Sequence, residues 1–542
     1  MLRSLAVLAL VGCATLALLA QGGTTDLVIV NGRIFTGLSS RPWVEALSVR
    51  GNRVTSIGST ADVQARATAS ARVIDAGGRL VIPGINDAHA HPTASPPHTE
   101  LEGAPAFVED PSWSEITRRI KSAVARTPAR GWIIGEIGAS VLEDATANRF
   151  TLDVLADGRP VMLASWHGHG TLFNTEALRR LNVSDMQPDP PGGFFSRMPD
   201  GKTLTGFAHE YADYMLRQRL AMLAPPDAQV EAYQRFAAEA ASFGITSVQA
   251  MMTGYPAAQA APLMVKAQLP IRMRVIDFPM EGPTSSNAVM SRSEANTDAM
   301  VVTSGVKYIA DGTPIERLMF LREPYSDAPS TRGRLNFSEA DLAKSLAAIN
   351  AARQQPMLHV VGDAAIDTVL AALESVPDAR WPALRPRLEH ADLFEPAQFD
   401  RAKRLGVVIV QNPAHFMLGP LMRARLGERV ARSTMVKSIV RAGIPFALGS
   451  DGPMNPFLNI MFAAINQVNP GEALSVEEAL VAYTRGSAFA EFMETRKGTL
   501  APGMLADLAI LSQDIFKIPA ADLPKTTSVL TIVNGRVVHE VR

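Results

Sequence analysis

The segment RLVIPGINDAHAHP, residues 79–92, decides the fold prediction because an apolar strand ends there in two histidines. Its first half is a short run of branched apolar residues, which is typical of a buried strand. Its second half carries His89 and His91, which are two positions apart and therefore point to the same face of an extended segment. The spacing allows both imidazoles to bind one ion, although an isolated His-x-His pair does not identify a metal site.

Similar strand-like runs follow along the chain. They are PVMLASW, ITSVQAM, VKYIADG, PMLHVVG, RPRLEHA, GVVIVQN and IPFALGSD. Between them lie stretches such as EAYQRFAAEAASFG and SEADLAKSLAAINAARQ, in which apolar residues recur at helical spacing. Alternating strands and helices predict an α/β fold with a parallel sheet, and an open doubly wound sheet would give the same local pattern as a barrel.

Polar side chains lie within or just after four of these runs. They are Lys307, His359, His390 and Asp451. In a parallel barrel, active-site residues come from the carboxyl ends of different strands, so these four side chains are expected to meet His89 and His91 at one mouth. A single histidine of this kind is as well explained by a hydrogen-bonded core residue, but the set favours a shared site.

The two ends of the chain share a repeat. The pentapeptide IVNGR occurs at residues 29–33 and again at residues 532–536, each time within a strand-like run. Asn-Gly between β-branched runs is a strong hairpin signal because both turn positions need a positive φ. We therefore predict a small β-sandwich domain built from residues 25–83 and 498–542. The barrel would span residues 84–497, with an insertion over its mouth at about residues 92–226, where Gly and Pro interrupt the pattern.

The first twenty residues differ in character from the rest. Arg3 precedes the uncharged run SLAVLALVGCATLALLA, and the polar segment QGGTTD follows. This pattern predicts an export signal over residues 1–20 and hence a periplasmic or secreted protein. Two alternatives stay open, namely lipidation at Cys13, which lies in a lipobox-like context, and a retained membrane anchor. Cys13 is the only cysteine, so removal of the signal would leave nitrogen and oxygen atoms as the metal ligands.

Composition narrows the classes of function. The 542 residues are 47% hydrophobic and 19% charged, which is the balance of a globular protein. The net charge of −1 and the lack of basic runs argue against nucleic acid as a partner and favour a small-molecule substrate. Motifs for nucleotide cofactors and for a serine-hydrolase elbow are absent from the sequence. A homo-oligomer is compatible with the sequence.

The ordered motifs resemble those of the amidohydrolase superfamily, specifically the amidohydrolase-3 branch that includes N-substituted formamide deformylase-like enzymes. The motifs are PGINDAHAHP, GVKYIADG, LHVVGDAAID, RLEHAD, LGSDGP and GTLAPGMLADLAIL, and they span nearly the whole chain after the export signal. The resemblance implies a distorted (β/α)8 TIM-like barrel with a β-sandwich formed from both termini, which agrees with the repeat.

The resemblance also implies a set of metal ligands. His89, His91 and Asp451 would bind one divalent metal, and His359 and His390 would bind a second. Lys307 matches a lysine that similar enzymes carboxylate with CO2, and the carbamate would bridge two zinc ions. The alternatives are an unmodified lysine that forms a salt bridge or binds substrate, and Fe, Mn or Co in place of zinc, because imidazole and carboxylate suit all of them.

The mechanism that follows is hydrolysis of an amide-like C–N bond. Bound Zn2+ lowers the pKa of water from about 15.7 to about 7, which supplies hydroxide at neutral pH, and Asp451 would shuttle the proton to the leaving nitrogen. His169, in the segment SWHGHG, and His415, after the seventh strand, are candidate substrate-binding residues, and His167 is a neighbour with a packing role. Similar enzymes more often have Asp-Gly-His in place of the first of these segments, and this chain departs from that pattern.

The segment DGTPIERLMFLREPY departs from the common family version and should reach the substrate, whereas no role is assigned to His209 or Glu210. Two competing functions remain. One is a mononuclear deaminase-like or lactonase-like hydrolase on the same scaffold, and the other is a non-catalytic exported binding protein, although such a protein would usually have lost at least one ligand.

Overall fold

The structure is a computed structural model that describes residues 27–103, 110–166, 168–282 and 298–541. The predicted export signal, Cys13 and His167 lie outside the described residues. Within the described ranges, no helix is both long enough and apolar enough to cross a membrane.

Eight parallel strands form one sheet, which curves into a nearly closed barrel and confirms the predicted fold class. In chain order they are β1 (Ile85–Ala90), β2 (Ile245–Met251), β3 (Arg272–Asp277), β4 (Val301–Ile309), β5 (Pro356–Val360), β6 (Arg387–His390), β7 (Val408–Gln411) and β8 (Phe446–Leu448).

The first and last strands of the barrel meet at its carboxyl end. The backbone N–H of Asp451 donates to the carbonyl of His89 over 2.9 Å, and the N–H of Ser450 donates to Asp87 Oδ1 over 2.9 Å. A Cβ on Gly449 would lie 2.5 Å from the backbone nitrogen of His89, so only glycine permits this approach. The closure places Asp451 beside the two histidines of β1.

The sequence pattern was wrong about one strand of the barrel. PVMLASW forms a strand, Val161–Ser165, but it belongs to a separate six-stranded sheet that is inserted after β1. The third barrel strand is instead Arg272–Asp277, whose sequence RMRVID alternates charged and apolar residues. Both arginines are buried, and Arg272 forms a 2.8 Å ion pair with the buried Asp507. A buried strand can contain Arg272 because a partner far along the chain neutralises the charge. The sequence of this strand therefore lacks the apolar run that the prediction relied on.

The inserted sheet lies over the barrel mouth, where residues from both line a common cavity. Its strands are His98–Glu100, Trp132–Ile137, Val161–Ser165, Gly170–Phe173, Gly193–Arg197 and Leu204–Glu210. The helices of the same region are Trp113–Arg126, Ala139–Leu142, Arg149–Ala156, Thr175–Arg180 and Tyr211–Ala221. The boundaries of this region at about residues 92 and 226 stay a prediction.

Helices cover the outside of the barrel and connect its strands. The α-helices of at least six residues are Pro226–Ser242, Ala257–Lys266, Glu339–Ala351, Asp363–Glu374, Pro396–Leu405, Gly419–Leu426, Val436–Arg441, Pro456–Ile465 and Val476–Val481. The shorter α-helices and the 3-10 and π-helical segments are Trp381–Leu384, Pro413–Leu418, Gly427–Arg432, Pro470–Glu472, Ala482–Gly486, Ser487–Ala490 and Ala520–Lys525. Side chains cap some of these helices; Ser338 and Ser475, for example, each accept a hydrogen bond from the backbone three residues later.

The two ends of the chain combine in two packed sheets, as the repeat predicts. One sheet contains Leu27–Val30, Ala46–Arg50, Arg53–Gly58 and Arg72–Asp75, and Thr60–Gln64 is the helix beside it. The other contains Arg33–Phe35, Trp43–Val44, Leu80–Pro83, Leu508–Leu511, Ser528–Val533 and Arg536–Glu540. Apolar side chains of both sheets pack in one cluster. The domain boundaries themselves stay a prediction.

The two copies of IVNGR form different structures. At the C-terminal end, Val533 pairs with Arg536, and Asn534 and Gly535 both have positive φ, as a two-residue hairpin requires. The hairpin predicted at Asn31-Gly32 is wrong, because the strands on its two sides lie in different sheets. Gly32 has no positive φ, and its N–H donates to the carbonyl of Glu45 over 2.8 Å.

Candidate metal centre

The six predicted ligands lie at the carboxyl end of the barrel. His89 is in β1 and His91 follows it, Lys307 is in β4, His359 is in β5, His390 ends β6, and Asp451 follows β8. The structure therefore brings together side chains that are up to 362 positions apart in the sequence. Their assignment as metal ligands stays a prediction.

His89, His91 and Asp451 form the first group of donor atoms. The two Nε2 atoms of the histidines are 3.2 Å apart, and His91 Nε2 lies 2.9 Å from Asp451 Oδ1. Lys307 extends into the same group, with its Nζ 2.8 Å from His89 Nε2. The donor atoms of His89, His91 and Asp451 are close enough to one another to hold a metal ion.

His359 and His390 lie on the other side of Asp451. Their ring centroids are 4.5 Å apart, and His390 Nδ1 is 3.7 Å from Asp451 Oδ2. Both rings are buried, and neither His359 Nε2 nor His390 Nδ1 has a hydrogen-bond partner among the residues that the structure describes. Buried nitrogens without partners are costly, and a divalent cation would satisfy both. The residues present therefore fit a metal.

The electrostatics of the centre favour neutral imidazoles, which is the form that binds metals. Burial lowers the pKa of His89 to about 4 and lowers the pKa values of His359 and His390 well below the usual range, and neighbouring cationic groups reinforce the effect. Burial alone would raise the pKa of Asp451, but His89, His415 and His91 outweigh it and hold that pKa well below its usual range. The carboxylate is therefore ionised.

Lys307 is a buried cation without a carboxylate partner. Burial lowers the pKa of its amine to about 8. Its nearest polar neighbour is His89, and it forms no ion pair with a carboxylate in the described part of the chain. An ammonium group in this position would repel a metal ion, so the lysine must be neutral or modified if metal binds beside it.

Glu389, which the sequence analysis did not single out, orients the first ligand. It is fully buried, and its Oε2 accepts a 2.7 Å hydrogen bond from His89 Nδ1. The guanidinium of Arg387, also fully buried, donates to both carboxylate oxygens, over 2.7 and 2.9 Å. Donation from Nδ1 leaves the Nε2 lone pair of His89 facing the centre, which is the usual support of a metal-bound histidine. The sequence signal that could have identified Glu389 is the ionisable pair Arg387 and Glu389 within a strand that is otherwise expected to be buried.

His91 is oriented in the same way by backbone and hydroxyl groups. Its Nδ1 lies 3.0 Å from the carbonyl oxygen of Met251 at the end of β2, and 2.9 Å from Thr253 Oγ1. Because Nδ1 donates its hydrogen to the carbonyl oxygen, the lone pair of Nε2 is again available to a metal.

His415 packs directly against the centre. Its ring stacks on His390 with centroids 4.9 Å apart, and its Nε2 lies 3.4 Å from Asp451 Oδ2. Burial would lower the pKa of His415, but Asp392 and Asp451 outweigh it and raise that pKa to about 9. His390, His415 and Asp451 also lie close enough together to hold a metal. The geometry therefore allows His415 either to orient Asp451 or to act as a ligand.

His169 lies beside His359, with ring centroids 4.5 Å apart. Its Nδ1 is 3.0 Å from Glu210 Oε2, so Nε2 is the remaining polar atom of the ring. Glu210, which was left without a role at first, is fully buried, has a φ of 55° and also accepts a 2.9 Å hydrogen bond from Asn336. A non-glycine residue with positive φ in a buried position often marks a functional site. His209, by contrast, stacks on Phe194 away from the centre.

A single cavity of about 720 Å³ joins these groups. Seven of the eight candidate residues line it, namely His91, His169, Lys307, His359, His390, His415 and Asp451, and His89 is buried behind them. Thr313 and Pro314, from the segment that departs from the common family version, also line the cavity. The segment therefore reaches the cavity, and its contact with substrate stays a prediction.

Comparisons with known proteins agree with this arrangement. The sequence profile of the amidohydrolase family matches residues 72–539. The chain is 26% identical to N-substituted formamide deformylase of Arthrobacter pascens, over 95% of this chain and 98% of that protein. It is 27% identical to the protein LONG AFTER FAR-RED 3 of Arabidopsis thaliana, over 95% of this chain and 92% of that protein.

A solved structure shares the whole architecture. An uncharacterized metal-dependent hydrolase of Pyrococcus furiosus superposes with a TM-score of 0.68 and 25% identity, covering 90% of this chain and 99% of that one. The family match covers most of the chain. The chain belongs to the amidohydrolase family and is a hydrolase that acts on carbon–nitrogen bonds.

Proposed function

We propose that this enzyme hydrolyses an N-formyl, N-acyl or cyclic amide at a centre of two divalent metals, of which zinc is the first candidate. The observation that carries the proposal is the convergence of four imidazoles, one lysine and one aspartate at the barrel mouth, where all but His89 line a single cavity. His89, His91 and Asp451 would hold one metal, His359 and His390 the other, and carboxylated Lys307 would bridge them. When bound, such metals lower the pKa of a coordinated water and polarise the substrate carbonyl.

Asp451 is the proposed proton carrier. It is an ionised carboxylate at the centre, with Oδ1 beside His91 and Oδ2 beside His415. In the proposed reaction, water adds to the carbonyl carbon, and Asp451 accepts a proton from that water. The C–N bond then breaks, and the same proton passes to the leaving nitrogen. The products are a carboxylic acid and an amine, so atoms balance without any further reactant.

His169 is the proposed donor to the substrate carbonyl oxygen as negative charge develops there. Its Nδ1 donates to Glu210, which fixes the ring. Burial would lower the pKa of His169, but Glu210 and Glu316 outweigh it and raise that pKa, which favours the protonated ring with a second N–H at Nε2. Donors fixed in advance stabilise a developing oxyanion without reorganisation during the reaction. His415 is proposed to orient Asp451 through its 3.4 Å contact with Oδ2.

Carboxylation of Lys307 is supported by its surroundings. A buried amine beside His89, with no carboxylate partner in the described part of the chain, is a poor neighbour for a metal. Reaction of the neutral amine with CO2 forms an N–C bond and releases one proton, which converts the side chain into an anionic oxygen donor. Mass spectrometry of the intact protein in bicarbonate buffer tests this step directly. We expect a mass increment of about 44 Da, the mass of CO2, in the native protein and no increment in Lys307→Arg.

Export is proposed from the first twenty residues alone. Mass spectrometry of the protein recovered from the periplasm or medium of a bacterial host would reveal cleavage after Ala20 or lipidation at Cys13. Recovery of the intact chain in the cytosol would contradict export.

The experiment that tests the function combines metal analysis with a substrate panel. Protein of known metal content is assayed on formamides, N-acyl amines, cyclic amides, lactones and deaminase substrates. We expect two metal equivalents per chain and hydrolysis of C–N substrates. One equivalent, with activity retained in Lys307→Ala, would favour the mononuclear alternative. Hydrolysis of lactones alone would overturn the proposed bond type.

A further inference from the structure

Arg217 faces the substrate cavity at a distance from the metal ligands. It lies on the helix Tyr211–Ala221, one turn beyond Tyr214, whose ring centroid is 5.4 Å from that of His169. Three residues along a helix correspond to a rise of about 4.5 Å. His359, His169, Tyr214 and Arg217 therefore form a path along the cavity wall, and all four line the same cavity.

The guanidinium of Arg217 is fixed from behind. Its Nε donates to Asp213, with both carboxylate oxygens 2.9 Å away, and its Nη2 lies 2.9 Å from Asp213 Oδ2. Nη2 also donates to Thr171 Oγ1 over 3.1 Å. Asp213 is fully buried, and the bidentate geometry leaves the arginine little freedom to rotate.

The remaining edge of the guanidinium is not used in this pairing. Arg217 lines the cavity and keeps 29% of its side-chain surface exposed, and Nη1 forms no hydrogen bond or ion pair in the described part of the chain. An arginine that is held on one edge and open on the other offers a planar site for an anionic oxygen. Tying the helix to the neighbouring strand needs only Nε and Nη2, so Nη1 stays available.

We propose that Arg217 binds an anionic group of the substrate, so that the enzyme acts on amides that also carry a carboxylate or a similar anion. This inference rests on the proposed function, because it takes the amide to lie at the metal centre. The anionic group then lies on the far side of His169 and Tyr214, several bonds from the amide carbonyl. Met162, Ala164 and Leu220 also line the cavity and offer apolar contacts to the part of the substrate that links the two groups.

The test uses the metal-loaded full chain and paired substrates. Each pair is an N-formyl or N-acyl amine with a carboxylate two to six bonds from the amide nitrogen, together with its carboxamide isostere. We expect the native enzyme to prefer the carboxylate member. Loss of a charge-assisted hydrogen bond in Arg217→Met should lower kcat/KM for that member by about 10- to 100-fold, mainly through KM. The carboxamide member should change by less than threefold, and Arg217→Lys should be intermediate.

Arg219→Met is the matched control on the same helix, because Arg219 donates to the carbonyls of Leu181 and Asn182 and does not line the cavity. It should leave the preference intact. Equal losses on both members of a pair, or no preference in the native enzyme, would overturn the anionic subsite while leaving the proposed function standing. Should no pair be hydrolysed, the proposed function fails. Calorimetric binding of the carboxylates to the metal-loaded native chain and to Arg217→Met then decides the subsite: equal binding overturns it.

Discussion

Replacement of Glu389 by glutamine tests whether the buried carboxylate behind His89 serves the metal centre. The carboxylate accepts three hydrogen bonds, one from His89 Nδ1 at 2.7 Å and two from Arg387 at 2.7 and 2.9 Å, and all three side chains are fully buried. Glutamine keeps the size of the side chain but removes the charge and offers one acceptor oxygen. Breaking a buried ion pair on one side costs about 3–5 kcal/mol of folding free energy.

The same change should weaken metal binding. Without the acceptor at Nδ1, the ring of His89 loses its fixed tautomer and part of its basicity, and such changes typically lower metal affinity by about 10- to 100-fold. Glu494→Gln is a suitable control, because Glu494 also receives two hydrogen bonds from an arginine, Arg385, but contacts no candidate ligand. That pair is partly exposed, so its loss should cost only about 0–1 kcal/mol.

The assay compares the two variants by chemical unfolding of the metal-free proteins and by competition with a chelator of known affinity. We expect Glu389→Gln to lower both stability and metal affinity, and Glu494→Gln to leave affinity unchanged. Native metal affinity in Glu389→Gln would refute the role of the carboxylate in orienting the ligand, even if stability falls. Equal stability losses in the two variants would refute the argument from burial.

Three further predictions follow from other contacts. His169→Asn should lower kcat by about 10²- to 10³-fold, which is the usual cost of losing one oxyanion donor. In steady-state kinetics, Glu210→Gln should lower kcat less and change KM little. An unchanged kcat in both variants would remove His169 from the mechanism. Gly535→Ala should lower the melting temperature much more than Gly78→Ala. Both glycines have a positive φ, but only a Cβ at position 535 would meet a backbone oxygen, that of Gly51, at 1.9 Å. Similar melting temperatures of the two variants would contradict this. Asp507→Asn should lower the free energy of unfolding by about 3–5 kcal/mol, because it breaks the buried ion pair with Arg272 that joins the barrel to the terminal sheets. A loss below about 1 kcal/mol in chemical unfolding would contradict this role of the pair.

Local patterns in the sequence predicted the alternation of strands and helices, and the resemblance of the ordered motifs to a known family distinguished a barrel from an open sheet. Strand ends carry their side chains to one place in a parallel barrel, so His359 and His390 could be assigned to the same region without knowledge of their contacts. The prediction of the third strand failed because Arg272 and Arg274 are buried only through partners far along the chain. Such pairing has no local signal.

The two IVNGR segments show the same limit more sharply. Identical pentapeptides form a hairpin at Asn534 and a crossing between sheets at Asn31, because the pairing partners of the flanking strands differ. Glu210 was missed for a related reason, since its partners His169 and Asn336 are 41 and 126 positions away. Its positive φ is a property of the folded backbone and is not visible in the sequence.

Anomalous X-ray scattering from crystals of the metal-loaded protein tests the central claim most directly. Data collected on both sides of the zinc absorption edge should show two peaks among His89, His91, Lys307, His359, His390 and Asp451, and both should disappear after chelation together with the activity. Full activity in crystals or solution without any peak at this position, or peaks bound only by other side chains, would contradict the account.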